Sequence, residues 1–323
     1  MAVYTEVSDD ELAAFLADYD IGPALSCKGI AEGVENSNYL LLTKTGPYIL
    51  TLYEKRVDAK DLPFFLGLME HLAAHGVPCP VPVHGRDGAV LRTLCERPAA
   101  ITSFLAGVWP RRPRPAHCAG LGEALARMHL AGLDYPAERA NALSVDSWRP
   151  LFERCRAGAD DVVPGLSAEV SATLDRIEAA WPRDLPRGVI HADLFPDNVF
   201  FDRDRLSGLI DFYFACNDAL VYDLAVCLNA WCFEPDLSFN VTKARYMIAR
   251  YRAVRRCSQA EIAALPRLAE GAALRFLLTR LYDWINQVDG ALVRPKDPRE
   301  YLHKLRFHRG ISDPQAYGID VDA

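Results

Sequence analysis

Apolar and polar positions divide the chain into a β-patterned first third and a helical remainder. Ser8-Asp9-Asp10-Glu11 has the spacing of a capping box, in which Ser8 and Glu11 satisfy each other's free backbone donors. Leu12, Phe15 and Leu16 then form one apolar stripe, which Gly22-Pro23 ends. The runs Tyr39–Thr43 and Tyr48–Tyr53 flank Gly46-Pro47 and predict a hairpin. Leu62–His75 predicts a helix stopped by Gly76. Val77–Val83 carries three prolines and predicts an extended connector. Val90–Cys95 and Ala99–Phe104 predict two more strands.

After Gly107 the period lengthens. Leu121, Leu125 and Met128 give Cys118–Leu130 the spacing of an amphipathic helix. Further helices are predicted at Ser147–Arg156, Ser167–Trp181, Asp223–Phe233, Val241–Val254, Gln259–Val288 and Pro298–Phe307. Inside this helical part lies a β-rich island, Gly188–Asp211. The prolines and arginines of 111–115 read as a solvated loop, and no internal repeat is visible.

Composition narrows the picture. With 323 residues a single core is near its upper limit, so two lobes are expected. A net charge of −7 argues against a general nucleic-acid binder. Nine scattered cysteines show no C-x-x-C pair and no zinc spacing, which fits buried thiols in a reducing cytoplasm. No signal-peptide pattern and no apolar run of about 20 residues occurs, so neither secretion nor a membrane span is expected.

The densest polar signal is His191-Ala192-Asp193-Leu194-Phe195-Pro196-Asp197-Asn198, between two apolar runs. Leu206–Ile210 then leads into Asp211-Phe212. If the two short strands pair as a hairpin, Asp193, Asn198 and Asp211 come together. Phosphoryl transfer wants this set: a carboxylate beside the acceptor hydroxyl, and hard oxygen ligands for Mg²⁺ at the phosphates of ATP. The spacing follows the kinase loop H-R-D-x-x-x-x-N and D-F-G, with Ala192 for arginine and Tyr213 for glycine. The alternative is a cluster of turn and capping residues. Four matching positions in order favour the phosphotransferase.

On these residues the chain resembles the aminoglycoside-phosphotransferase and choline-kinase-like family of small-molecule kinases. Gly120–His129 is similar to the family's helix after the hinge, and Ile101–Gly107 to the hinge. The resemblance implies an α+β, two-lobed protein-kinase-like fold. Residues 1–105 would be a nucleotide-binding lobe with an antiparallel sheet, and 106–323 a mainly helical catalytic lobe. It implies Asp193 as the catalytic base, with His191 shaping the loop, Asn198 and Asp211 as Mg²⁺ ligands, and Thr102 and Phe104 at the nucleotide. The segments Tyr48–Arg56, Asp61–Met69, Tyr222–Glu234 and Ala273–Trp284 resemble the branch of this family that phosphorylates L-homoserine, a step of threonine biosynthesis.

Two departures stand out. Gly29, Gly33, Asn36, Ser37 and Asn38 occupy the place of the phosphate loop, where glycine backbone and short polar side chains offer donors. Thr51, however, stands where the family has a lysine, and Phe65 where its partner glutamate would be. Their joint loss avoids an unpaired charge near the cleft. Strand alternation puts Thr51, Tyr53 and Lys55 on one face, which makes Lys55 the first candidate for the missing cation, ahead of Lys28, Lys44 and Arg56.

An amino-acid acceptor needs a carboxylate for its ammonium and an arginine for its carboxylate. The candidates are Asp218, Asp223, Arg275, Arg280 and Trp284. Salt bridges between helices, and capping by Asp223, are the competing explanations. The acceptor alternatives are an aminoglycoside, choline, methylthioribose or another hydroxy amino acid. A nucleotide-binding pseudokinase is the alternative from outside the enzymes. The expected partner is a small molecule, and the expected state a monomer or homodimer in the cytoplasm.

Overall fold

The structure is a computed structural model, and it describes residues 4–30, 36–54, 58–287 and 295–319. The first part is built on strands β1 (Ala24–Gly29), β2 (Ser37–Thr43), β3 (Gly46–Leu52), β4 (Arg92–Leu94) and β5 (Arg97–Ser103). They form an antiparallel sheet in the order β1-β2-β3-β5-β4. The predicted hairpin is β2–β3, closed by Lys44-Thr45 with Thr43 opposite Gly46. Gly46 has a φ of 142°, open to glycine and strained for other residues. Helix α1 (Asp9–Leu16) begins with the capping box: Glu11 N–H donates to Ser8 Oγ, and Ser8 N–H to Glu11 Oε2. Its stripe of Leu12, Phe15 and Leu16 buries against Tyr39, Leu41, Leu50 and Ile101 of the sheet.

A second, larger core holds everything else. It includes α2 (Leu62–Ala74), α3 (Pro115–Ala131), α4 (Val145–Glu153), α5 (Arg156–Val162) and α6 (Leu166–Ala179). Then come β6 (Arg187–Ile190), β7 (Val199–Asp202), β8 (Arg205–Leu209), β9 (Cys216–Ala219), α7 (Leu220–Trp231), α8 (Val241–Val254), α9 (Gln259–Ile285) and α10 (Pro298–Arg309). Helix α2 lies between β3 and β4 in sequence, yet Leu62, Phe65, Leu68 and Leu72 join this larger core. Helix α9, about 40 Å long at 1.5 Å per residue, is buried on nearly all sides, so it lacks a polar face. Helices α3 and α8 cross closely at Gly122, where a Cβ would sit 2.1 Å from the Met247 carbonyl oxygen. No helix among the described residues is long and apolar enough to cross a membrane.

Three elements differ from expectation. Strand β1 is an edge strand with an irregular burial pattern, so its sequence lacks alternation. The β island holds two ribbons: β6 pairs with β9, which the sequence reading missed, while β7 pairs with β8. Helix α7 starts at Leu220 rather than Asp223, so Asp223 lies inside the helix and does not cap it.

Candidate active site

The catalytic-type loop begins where β6 ends. His191 is fully buried; its Nε2 donates to the Ile210 carbonyl at 2.9 Å, and its Nδ1 accepts from Asp193 N–H at 3.3 Å. Burial pushes its pKa down, so the ring is neutral and both nitrogens hold the loop in shape. Ala192 follows with φ 64°, a left-handed conformation that strains an alanine. The strain is held from three sides. His191 and Ala192 N–H donate to the two oxygens of Asp223 at 2.7 and 2.9 Å, and the Ala192 carbonyl accepts from Arg275 of α9. At 1 % exposure Ala192 leaves no room for the arginine of the kinase pattern. Trp231 Nε1–H fixes the loop further along, at the Leu194 carbonyl.

Asp193 and Asn198 then face each other. Asn198 Nδ2 donates to the Asp193 carbonyl at 2.8 Å and approaches its carboxylate at 3.3 Å. The β7–β8 hairpin brings the second apolar run back, so Ile210 N–H donates to the Asn198 carbonyl at 3.0 Å. Asp211 is therefore the next residue along. It is exposed and left-handed, with φ 66°. Burial drives the Asp193 pKa well above the carboxylate range; Asp211 and Asp197 push the same way, against Arg275 and Lys296. Two carboxylates and one amide gathered at this point form an oxygen donor set that suits a hard divalent cation, whose charge would relieve their repulsion.

A buried chain supports the loop from below. His129 Nε2–H donates to Asp223 at 3.2 Å, and His129 Nδ1 accepts from Tyr251 at 2.7 Å. Burial works against the Asp223 carboxylate, but His129 and the loop N–H groups more than offset it and hold its pKa down. Asp223 is thus corrected from substrate ligand to loop support: it is fully buried and both oxygens are taken. Its signal could not be read locally, because its partners lie 31 and 32 residues away.

A cavity of about 690 Å³ adjoins the loop. Arg139, Arg154 and Arg275 line it together with Asp58, Asp61 and Asp283, and Phe65, Tyr213 and Phe214 supply its aromatic wall. Arg139 Nε–H donates to Asp61 at 2.8 Å. Of the predicted acceptor residues only Arg275 lines this cavity. Arg280 is corrected: it pairs with Glu300 of α10 at 2.6 Å. Asp218 is buried behind Asn141, from which it accepts at 2.7 Å, and pairs with Arg187. Trp284 lies half-buried in the last turn of α9 and does not line the cavity, although Tyr282 and Asp283 beside it do. The sequence reading missed Arg139 and Asn141, which sit in a segment without periodicity; a parallel bridge from Ala140 to Asn217 places it.

The other end of the cleft is different. Gly29 ends β1 opposite Tyr39, while Gly33, Lys55 and Arg56 lie outside the described residues. Ser37 is corrected as a phosphate donor: its buried hydroxyl donates to Glu54 at 2.7 Å and accepts from Tyr4 and Thr5 N–H. Asn36 accepts from Glu54 N–H at 3.3 Å, and Asn38 from the Thr51 hydroxyl at 2.8 Å. Thr102 is buried on β5 between Ile49 and Pro82, and Phe104 is exposed just beyond. Where the lysine–glutamate pair was expected, Tyr213 meets Tyr53 and Phe65 edge-on, with centroids 5.5 and 5.7 Å apart. Tyr213 also donates to the Tyr53 hydroxyl at 3.2 Å.

Residues 26–257 match the phosphotransferase enzyme family. A homoserine kinase of Rhodospirillum rubrum is 70 % identical over 319 residues, covering 99 % of each chain. One of Paramagnetospirillum magneticum is 64 % identical, over 99 % of this chain and all of its own. Among solved structures, an amicoumacin kinase in complex with AMP-PNP, Ca²⁺ and Ami has a TM-score of 0.67 at 14 % identity, covering 94 % of this chain and 92 % of that one. The fold is therefore the two-lobed, protein-kinase-like α+β fold.

Proposed function

This chain belongs to the phosphotransferase enzyme family, and we propose that it transfers the γ-phosphoryl group of ATP to the side-chain hydroxyl of L-homoserine. The observation that carries the chemistry is the meeting of Asp193, Asn198 and Asp211 at the mouth of the β7–β8 hairpin. The acceptor comes from the relatives at 62–70 % identity over nearly the whole chain, which are homoserine kinases.

Asp193 orients the acceptor hydroxyl and takes its proton as the O–P bond forms. The Asn198 amide holds the Asp193 backbone while its own oxygen, with Asp211, holds Mg²⁺. That ion supplies charge neutralisation at the phosphates. His191 and Asp223 position Asp193 and touch no substrate. The cavity beside the loop suits a zwitterion: Arg275 or Arg139 for the carboxylate and Asp283 or Asp61 for the ammonium. Residues 1–105 bind the nucleotide, with Thr102 and Phe104 at its adenine side, and 106–323 carry the chemistry. Lys55 is the cation we assign to the phosphates. The protein acts in the cytoplasm.

ADP release, measured across a panel of homoserine, serine, threonine, choline and an aminoglycoside, tests both halves of this reading. Homoserine should give the highest kcat/KM. Asp193→Asn should keep the fold and lower kcat by about 10²–10⁴-fold. Near-normal turnover in that variant would remove Asp193 from the chemistry. Faster turnover of another alcohol would change the acceptor and leave the phosphotransfer intact.

A further inference from the structure

Apart from the cleft, one face of α2 meets the 3₁₀ turn Gly132–Asp134 that follows α3. His71, in the last turn of α2, and His75, the residue that caps it, are four residues apart and lie on that face. Their ring centroids are 4.3 Å apart. Asp134 approaches both, with Oδ1 3.0 Å from His71 Nε2 and Oδ2 3.8 Å from His75 Nε2. The three candidate ligand atoms lie within 4.8 Å of one another.

The hydrogen bonds say what this cluster lacks. His75 Nδ1–H donates to the His71 carbonyl at 2.8 Å, which fixes the tautomer of the neutral ring. Its Nε2 then turns a lone pair toward a carboxylate oxygen. Two acceptors face each other, an arrangement that only a cation or a proton between them makes favourable. A backbone carbonyl behind one imidazole nitrogen is also the usual way a metal-binding histidine is oriented. His71 has its Nε2 shared between Asp134 and the Ala131 carbonyl at 2.8 Å, a hydrogen bond it would give up to a metal.

We propose that His71, His75 and Asp134 form a binding site for a zinc-like divalent ion. Two imidazoles and one carboxylate select Zn²⁺, Co²⁺ or Ni²⁺ over Mg²⁺, which prefers oxygen alone. The side chains of His75 and Asp134 are 43 % and 71 % exposed, so water completes the coordination shell. Binding converts His71 to the Nδ1–H tautomer and displaces any proton held by His75. Because the ligands come from two elements, the ion ties α2 to the segment that leads on to Arg139 and Asn141 in the cavity wall.

The test is calorimetric titration of the full chain with Zn²⁺, in excess Mg²⁺ so that the carboxylates of the cleft are occupied. Wild type should bind one equivalent and gain thermal stability. His75→Ala and Asp134→Asn should each weaken that binding by about tenfold or more and lose the thermal gain. Both positions are exposed and outside the catalytic loop, so the variants should keep wild-type ADP release in zinc-free buffer with Mg²⁺. Co²⁺ should give visible ligand-field bands in wild type that His75→Ala lacks. Should a variant prove unstable, His75→Gln keeps the size and removes the ligand. Equal Zn²⁺ binding by wild type and the variants, or none by wild type, would overturn the site.

Discussion

The two ends of the cleft solve opposite problems. At the loop end, charges are gathered: burial, and then Asp211 and Asp197, push the pKa of Asp193 up, while Arg275 opposes them. At the proposed nucleotide end, the charged pair of the kinase pattern is gone. Thr51 and Phe65 stand in its place, and Tyr213 packs between Tyr53 and Phe65. A buried ion pair adds little stability over well-packed apolar groups, whereas half of one is costly. Charge has therefore been kept where the chemistry needs it. Where only a connection between β3, α2 and the Asp211 loop is needed, aromatic contact supplies it.

The largest effects should fall on the loop end. Asp211→Ala should lower kcat on the order of 10²–10³-fold, the scale of several kcal/mol of transition-state stabilisation. It should also abolish saturation by Mg²⁺ in the normal range. Unchanged Mg²⁺ dependence of ADP release would move the metal elsewhere. Asp223→Ala acts one layer deeper. It strands two buried N–H groups and His129, and should cost about 3–5 kcal/mol in urea unfolding. Stability within about 1 kcal/mol of wild type would show that water replaces the carboxylate.

What could be read beforehand follows the same division. The β2–β3 hairpin, α1, α2 and most of the later helices announce themselves through local period and capping, as at Ser8-Glu11 and Gly76. The Asp193, Asn198 and Asp211 set was readable because its spacing is short and ordered. Its supports were not. Asp223, His129, Tyr251 and Arg275 lie on separate helices, and nothing in their own neighbourhoods points to residues 191–193. Strand β9 was missed for a related reason: Cys216–Ala219 is short, and its partner β6 lies far upstream, with Gly188 opposite Asp218. Arg280 misled because an arginine on a helix face looks the same whether it meets a substrate or Glu300.

Acid should separate the two regions next. His129 and His308 are neutral in the fold because burial lowers their pKa, His308 to about 3. The unfolded chain takes up protons at these residues below about pH 6.5. Stability is therefore present above that pH and is lost as pH falls, by about 1.4 kcal/mol per unit for His308 until its folded pKa is reached. Urea unfolding at pH 7.0 and 5.5 measures the loss, and His308→Gln should make the slope shallower by that amount. Amide exchange should rise in α3, α7 and α10 before it rises in β2, β3 and β5, whose core contains no histidine among the described residues. Simultaneous loss in both regions would mean that they unfold as one unit.

The smallest effect is the one that bears most directly on the aromatic end. Tyr213→Phe keeps the ring that touches Tyr53 and Phe65 and removes only the hydroxyl bonded to Tyr53 at 3.2 Å. One such bond contributes about 1 kcal/mol. If packing alone links Asp211 to β3 and α2, kcat should stay within a few-fold of wild type, and KM for ATP should change no more than that. The same position truncated to alanine should raise the Mg²⁺ and ATP concentrations needed for half-maximal rate, because the loop after Asp211 loses its wall. A large kcat loss in Tyr213→Phe would give the hydroxyl, and not the ring, the task that lysine has in related kinases.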